Sequence, residues 1–314
     1  MRIISWNVNG LRSNIVDFTT STNKNLRKIS DGSPLDKLIK KYDPDMICFQ
    51  ETRMGPDKYH LFQSEEIKNL FPFQYWSSSK GEGGRSGNRY SGTSIWSRIE
   101  PKSVQYDIPN MGDREGRIVQ LDFGDTIVIG TYTPNTGSNW DYRLTHWEPI
   151  LQKYLSNLSN SDKKIVYCGD FNIANKCDVW FGDLLEKKYK DEEDAIIKKK
   201  YLSKVNSKKR LHTGKQIMAG YSKEERNAYQ SLLNNTNMVD CFRVKNPTVI
   251  DQFSWFNMRI RGSFGNNLGW LIDRFIVPTK YENDITRCEI AHFIGVRNRD
   301  GNMISDHIPI FLEI

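Results

Sequence analysis

Polar residues interrupt the ends of otherwise apolar stretches at six places, and their side chains suit one kind of chemistry. Asn7 and Asn9 follow Ile3–Trp6, Gln50 and Glu51 follow Met46–Phe49, and Tyr132 and Asn135 follow Ile127–Gly130. Asp170 and Asn172 follow Ile165–Cys168, Asp273 sits within Leu271–Val277, and Asp306 and His307 immediately precede the last apolar run. A turn-capping Asn or a rim carboxylate explains any one of these taken singly. Six placed alike point to a shared cleft, because strand ends in layered α/β folds gather on one side.

The residue types say what such a cleft can do. Glu51 and Asp306 offer hard oxygen ligands, and so few protein ligands suit Mg²⁺, which keeps several of its waters. No cysteine–histidine cluster argues for zinc. Asp170 can orient or deprotonate an attacking water. His307 can donate a charge-assisted hydrogen bond to a phosphoryl oxygen if a carboxylate such as Asp273 holds it protonated. Asn7, Asn172 and Tyr132 supply neutral donors toward developing negative charge. Neither a P-loop nor a GxGxxG motif is present, so nothing argues for a nucleotide cofactor. The glycine-rich Gly81-Glu82-Gly83-Gly84 lacks the Lys-Ser/Thr ending of a P-loop and reads as a loop.

Short β-rich runs must position these groups. They fall at Arg2–Asn7, Met46–Gln50, Thr93–Trp96, Ile118–Phe123, Thr126–Tyr132, Lys164–Cys168, Gln252–Phe256, Leu271–Pro278 and Ile308–Glu313. Helical patterns lie between them. Pro34 opens a helix over Leu35–Lys41. Asp141–Leu158 is amphipathic, with Leu144, Trp147, Ile150, Leu151, Tyr154 and Leu155 on one stripe. Ser222 and Glu225 have capping-box spacing and start a helix to about Asn234. Strands outnumber helices, and many are adjacent along the chain, which fits two packed sheets flanked by helices better than one doubly wound sheet. Residues Thr19–Ser33, Ser77–Ser91 and Asp183–Thr213 read as loops, the last a Lys-rich insertion carrying Lys198-Lys199-Lys200 and Lys208-Lys209-Arg210. No Pro- or Gly-rich linker divides the chain, so 1–314 is expected to be a single catalytic domain.

Composition narrows the class. The 314 residues are 38% hydrophobic and 26% charged, a globular balance, and the formal net charge is +7. A basic surface attracts polyanions by releasing their counterions. No apolar run nears the roughly 20 residues that span a bilayer, so no membrane partner is expected. The chain passes from Met1-Arg2 directly into strand-like sequence without an apolar targeting segment. An intracellular protein is expected: cytoplasm or nucleoid in a bacterium, nucleus or virus factory in a eukaryotic or viral setting. The five cysteines, Cys48, Cys168, Cys177, Cys241 and Cys288, show no CxxC spacing and read as buried, reduced thiols.

SWNVNGLR (Ser5–Arg12), QETR (Gln50–Arg53), YTPN (Tyr132–Asn135), GDFNIA (Gly169–Ala174) and SDH (Ser305–His307) occur in that order. The series resembles the exonuclease III type of AP endonuclease, in the endonuclease/exonuclease/phosphatase superfamily. MAGYSKEER (Met218–Arg226), FSWF (Phe253–Phe256) and GWLID (Gly269–Asp273) sharpen the resemblance, which covers nearly the whole chain apart from the three loops. It implies a four-layer α/β/β/α sandwich of two packed mixed sheets. It implies Mg²⁺, with Mn²⁺ as a substitute, held by Glu51 and Asp306, with Asn9 assisting directly or through water. Asp170 would activate the water, with Asn172 beside it. His307, oriented by Asp273, would contact the scissile phosphate, and Asn7 and Tyr132 would complete the phosphate site. Trp255, Trp270 and Ile272 would line the pocket for a flipped-out abasic sugar. Asn135, Ser138 and Arg259 would meet the DNA. The family often places an arginine near position 138 that reaches into the lesion. Here Ser138 stands, with Asn139 and Trp140 beside it, and the Lys-rich insertion is expected to compensate electrostatically. The implied reaction is hydrolysis 5′ to an abasic site, with 3′-to-5′ exonuclease and 3′-phosphodiesterase activity. The implied partner is double-stranded DNA containing abasic sites or blocked 3′ ends, bound by a monomer.

Overall fold

Ile3 and Ile4 are neighbours with no exposed surface, yet they face different layers. In the computed structural model Ile3 joins Met46, Cys48, Val128, Val166 and Cys168 between two sheets. Ile4, Trp6, Ile47 and Phe49 instead pack outward against Leu35 and Leu38 of the Pro34–Tyr42 helix. On the other side Ile127, Ile129, Ile165 and Tyr167 pack outward against Trp147, Leu151, Leu155 and Leu232. Period-two alternation on strands buried on both faces therefore builds the α/β/β/α layering. The structure describes residues 1–11, 26–80, 90–180, 219–298 and 300–314, with the backbone of the short strands Asp17–Phe18, Leu211–His212 and Lys215–Gln216. Among the described residues no helix is long and apolar enough to cross a membrane.

The two six-stranded sheets share one pairing scheme. The first runs Arg287–Ile290, Ile310–Glu313, Arg2–Asn7, Met46–Gln50, Thr93–Ser97, Phe73–Ser77. The second runs Met238–Asp240, Asp273–Pro278, Lys164–Asp170, Thr126–Tyr132, Ile118–Asp122, Ser103–Gln105. In each, only the central pair is parallel and every other pairing is antiparallel. Asn7 stands opposite Gln50, Tyr132 opposite Asp170, and Asp170 opposite Asp273. The carboxyl ends of both parallel pairs thus open on the same cleft.

Several elements differ from the sequence reading. The four edge strands, Phe73–Ser77, Ser103–Gln105, Met238–Asp240 and Arg287–Ile290, have no counterpart among the expected runs. Lys164–Asp170 continues past Cys168, the expected Leu271–Pro278 run begins only at Asp273, and a separate short strand, Gly269–Trp270, precedes it. The expected Asp141–Leu158 helix is three segments: Thr136–Asp141, a π-helical Tyr142–Trp147 and Glu148–Ser159. Pro149 withholds an N–H there, and the wider turn places Arg143 rather than Leu144 on the buried face. Within the expected Thr19–Ser33 loop, Arg27–Lys28 pairs with Asp17–Phe18. Pro34 opens its helix as expected, and the Ser33 hydroxyl accepts from the Asp36 N–H at 3.2 Å, a cap contributing about 1 kcal/mol. The capping box at Ser222 and Glu225 forms and starts Lys223–Thr236. Residues 81–89 of the Ser77–Ser91 loop and nearly all of the Lys-rich insertion lie outside the described residues. Four of the five thiols are buried, while Cys177 is exposed.

Candidate active site

Asn7 ends the Arg2–Asn7 strand and joins the two sheets. Its Nδ2 donates to Glu51 Oε1 at 3.1 Å and to Asp170 Oδ2 at 3.0 Å. The Asn7 Oδ1 accepts from the Asn9 N–H at 3.0 Å, and Asn9 Nδ2 donates to Asp306 Oδ1 at 2.8 Å. His307 lies between two carboxylates: its Nδ1 is 2.9 Å from Asp273 Oδ2, and its Nε2 is 3.8 Å from Asp170 Oδ2. Backbone and hydroxyl contacts fix the imidazole. Ser305 Oγ donates to the Asn7 carbonyl at 2.7 Å and accepts from the His307 N–H at 3.1 Å, while Trp6 Nε1 donates to the His307 carbonyl at 3.1 Å. Asn172 presents its N–H to Asp170 Oδ1 at 2.8 Å and its Nδ2 to the Thr133 carbonyl, and it accepts from Asn135 at 3.2 Å.

Backbone conformation explains why the sequence turns where it does. Asn9, Glu51, Arg53 and Asn172 have φ of 47°, 50°, 53° and 49°, the left-handed region that non-glycine residues seldom occupy. Such strain, about 1–3 kcal/mol per residue, persists where the surroundings over-determine it. Here each strained residue lies in a segment that carries a functional side chain off a strand end. Gly169 has φ +142°, and a Cβ there would sit 1.9 Å from the Thr131 carbonyl oxygen. Only glycine lets the Asp170 strand approach its parallel neighbour this closely.

The electrostatics follow from burial and neighbours. Burial pushes the Asp170 carboxyl up to about 7, with Asp273 adding to the rise and the His307 charge opposing it. For His307, burial disfavours the imidazolium, but Asp273 and Asp170 outweigh it and raise the group to about 10. Burial also works against the Glu51 carboxylate, yet the Arg53 guanidinium and the Asn7 amide hold it below its ordinary value. Tyr132 is raised, chiefly by burial and then by Glu51, and the Arg117 guanidinium lies 4.6 Å from the centre of its ring.

Beside these groups Trp270 and Ile272, 4% and 5% exposed, pack with Ala174, Val179 and Tyr221, and Trp255 closes the cluster. Trp255 stands edge-on to Trp270 at 5.6 Å, and its Nε1 donates to Asp306 Oδ2 at 3.1 Å. The aromatic wall and the acidic end of the cleft therefore share Asp306. Arg259 lies exposed on the loop beyond Trp255–Phe256. Ser138 falls in the Thr136–Asp141 helix, and its side chain lies outside the described residues.

Several supporting residues escaped the sequence reading. Arg143 is buried and donates to the Pro134 carbonyl at 2.7 Å and the Phe171 carbonyl at 3.0 Å, while pairing with Glu148. It ties together the two loops that follow Tyr132 and Asp170. Arg274 pairs with Asp178 and Asp240 at 2.6 Å each, and Arg243 also pairs with Asp178, a buried network under the Trp270 wall. The Glu225 carboxylate accepts from Gly220, Ser222 and Thr136, so residues 220–225 clamp the turn beneath Asn172 and Trp270. The spacing of Ser222 and Glu225 signalled a helix start, but nothing in the sequence signalled the contact with Thr136. For Arg143 the π turn hid the signal, because an ideal helix puts that position off the apolar stripe.

A divalent cation suits this site. Glu51, Asp170, Asp273 and Asp306 converge against two cationic groups, Arg53 and His307, and the buried Asp273 Oδ1 has no hydrogen-bond partner. Ligand atoms of Asp170, Asp273 and His307 lie within 4.8 Å of one another, a second set able to hold an ion.

Two sheets meeting at a cleft of carboxylates, amides and a doubly flanked imidazole define a hydrolytic centre for phosphate esters. The model of the Endonuclease/Exonuclease/phosphatase family matches residues 4–307, and the chain belongs to that family, in its exonuclease III-type AP endonuclease branch. It is similar to an exodeoxyribonuclease of Bacillus subtilis, 30% identical over 325 aligned residues that cover 100% of this chain and 99% of the relative. A DNA-(apurinic or apyrimidinic site) endonuclease of Dictyostelium discoideum is 27% identical, covering 99% of this chain and 69% of its own. The fold is shared with an AP endonuclease from Archaeoglobus fulgidus, TM-score 0.69 at 21% identity, covering 99% of this chain and 98% of that one. It is shared too with the 3′-5′ exonuclease of Neisseria meningitidis, TM-score 0.71 at 20% identity, covering 100% and 99%. The chain is thus a hydrolytic nuclease.

Proposed function

We propose that this nuclease is a Mg²⁺-dependent AP endonuclease that hydrolyses the phosphodiester 5′ to an abasic site, with 3′-5′ exonuclease and 3′-phosphodiesterase activity at the same centre. One observation carries the reading: His307, paired with Asp273 at 2.9 Å and facing Asp170 at 3.8 Å, adjoins the Trp255–Trp270–Ile272 wall. The Bacillus and Dictyostelium relatives, named for DNA, support DNA as the substrate. The whole of 1–314 acts as one catalytic domain, as a monomer inside the cell.

Glu51 and Asp306 hold the ion, and Asn9 steadies Asp306 through its 2.8 Å hydrogen bond. The alternative set includes His307, whose imidazolium has no lone pair to offer a metal while Asp273 keeps it protonated. Glu51 and Asp306 would hold Mg²⁺ or Mn²⁺, which when bound would supply Lewis-acid polarisation of the scissile phosphate. Asp170, with its carboxyl near neutrality, takes a proton from the attacking water, and Asn172 aligns that water. The imidazolium of His307 donates to a non-bridging phosphoryl oxygen and Tyr132 to the charge that grows there, while Asn7 spends both amide hydrogens on Glu51 and Asp170 and so positions those two carboxylates around the phosphate. Trp255, Trp270 and Ile272 accept the sugar lacking a base, while a normal nucleotide overfills the space. Asn135, Ser138 and Arg259 are assigned to contact with the DNA, as the family resemblance implies.

A duplex carrying one tetrahydrofuran site, incubated with Mg²⁺ or with EDTA and analysed for both new ends, tests this. A single nick 5′ to the lesion, leaving a 3′-hydroxyl and abolished by EDTA, is the expected result. An intact duplex in Mg²⁺, with phosphate released instead from an inositol phosphate, overturns it.

A further inference from the structure

The loop that joins Trp255–Phe256 to Gly269–Trp270 meets the 295–297 turn around a cavity of about 520 Å³. Its lining has two chemistries. Met258, Phe264 and Val296 provide apolar walls, and Phe264 is held edge-on to Phe256 at 4.9 Å. Arg259, Arg261 and Arg297 also line it, and no Asp or Glu is among its described lining residues. Arg297 donates one N–H to the Gly301 carbonyl at 2.7 Å, which fixes the guanidinium and leaves other donors to face the cavity. Three positive charges without a carboxylate beside an apolar wall suit an anion joined to a flat apolar group. In a nuclease that is a nucleotide: phosphate for the guanidinium fork, base for the apolar wall. The volume falls in the range of small-ligand sites.

Both walls run directly into the candidate active site. Trp255 bridges His307, and the Phe256 N–H donates to the Asp306 carbonyl at 3.0 Å. Beyond that junction the two segments diverge, and the cavity lies in the fork, with Ile304 bonded to Val296 at 2.9 Å on the other side. A strand seated at His307 therefore reaches the cavity within a few nucleotides.

We propose that this cavity is a subsite for one unstacked nucleotide of the DNA substrate near the scissile phosphate, its phosphate held by Arg261 and Arg297 and its base lying on Met258 and Phe264. The proposal rests on the reading of the chain as an AP endonuclease. An unstacked nucleotide beside the lesion holds the duplex open where the abasic sugar must leave the stack, so the subsite contributes to lesion recognition rather than to the hydrolytic step.

Two measurements test it on the full chain. The first is incision of the tetrahydrofuran duplex by an Arg261→Gln/Arg297→Gln variant. KM should rise at least about tenfold with the maximal rate changed less than about twofold, and the salt slope of DNA binding should fall by about 1, for the one phosphate the two arginines share. The second places 2-aminopurine at successive positions flanking the lesion. Wild-type protein should brighten the probe at one position, and Phe264→Ala should abolish that signal while near-ultraviolet circular dichroism stays that of the wild type. An unchanged KM and slope, or a slope that falls with no 2-aminopurine signal in the wild type, overturns the proposal, the latter by assigning the arginines to duplex backbone alone. Failure of the wild-type protein to incise the duplex is a separate result and overturns the parent reading instead.

Discussion

The two sheets pair their strands in the same senses, yet they hold their functional residues by different means. The first delivers Asn7, Asn9, Glu51, Asp306 and His307 on segments fixed by backbone. Gly10 and Leu11 donate to the Glu51 and Thr52 carbonyls at 2.7 and 3.0 Å, and Asn9, Glu51 and Arg53 are held left-handed. The second has one such left-handed residue, Asn172, and delivers Tyr132, Asp170, Asn172 and Asp273 on segments fixed chiefly by buried charge: Arg143 across two loop carbonyls, and Arg274 with Asp178 and Asp240 beneath Asp273. Backbone restraint tolerates side-chain change provided the conformation remains allowed. Buried charge does not, because removing one partner strands the other in a low dielectric.

That contrast can be broken from either side. The largest effect is expected on the charge-held side. Arg274→Leu leaves Asp178 and Asp240 short of a cation and should lower unfolding free energy by about 3–5 kcal/mol in urea titrations. Next, Arg143→Met keeps much of the apolar stem but frees the two loops it ties. Single-turnover incision should slow about 100-fold, the scale of an ångström-sized misplacement. On the backbone-held side, Asn9→Val forces a β-branched residue to φ near 47° and should be about 1–3 kcal/mol less stable than Asn9→Gly, by thermal melts of both variants. A smaller Asn9 difference, or a stable Arg274→Leu protein, would erase the distinction.

The smallest effect is in pH dependence. Asp170 acts as a base only when ionised, so the rate should fall as pH drops through about 7, and raising Mg²⁺ should move that limb to lower pH by favouring the carboxylate. His307 has a folded-state value raised from 6.5 to about 10, so its contribution to stability is fully present below about 6.5 and is lost as pH rises through about 10. The stability gap between the wild type and His307→Gln should narrow over that window, as followed by melting temperature.

Legibility in the sequence divides along burial. The central strands of both sheets are nearly continuous apolar runs, because both of their faces are covered, and the sequence reading found them. It missed all four edge strands. Phe73–Ser77 is half-buried throughout, and Ser103–Gln105 and Arg287–Ile290 begin on exposed residues and alternate over only three or four positions, too few to stand out from loop sequence. The site residues were legible because polar groups at buried strand ends are conspicuous. Their supports were not, because a guanidinium such as that of Arg143 or Arg274 reads in sequence as surface charge. Only the fold reveals the carbonyls and carboxylates that bury it.

The central claim is that Asp170 and His307, brought from different sheets, act on one phosphodiester. Single-turnover incision of a tetrahydrofuran duplex by Asp170→Asn and by His307→Asn, each checked for wild-type folding by circular dichroism, tests it most directly. Each rate should fall by about a thousandfold or more, and the double variant should lose little beyond the worse single one, as residues acting as a unit do. Cleavage by either single variant at a rate near the wild type would contradict the account.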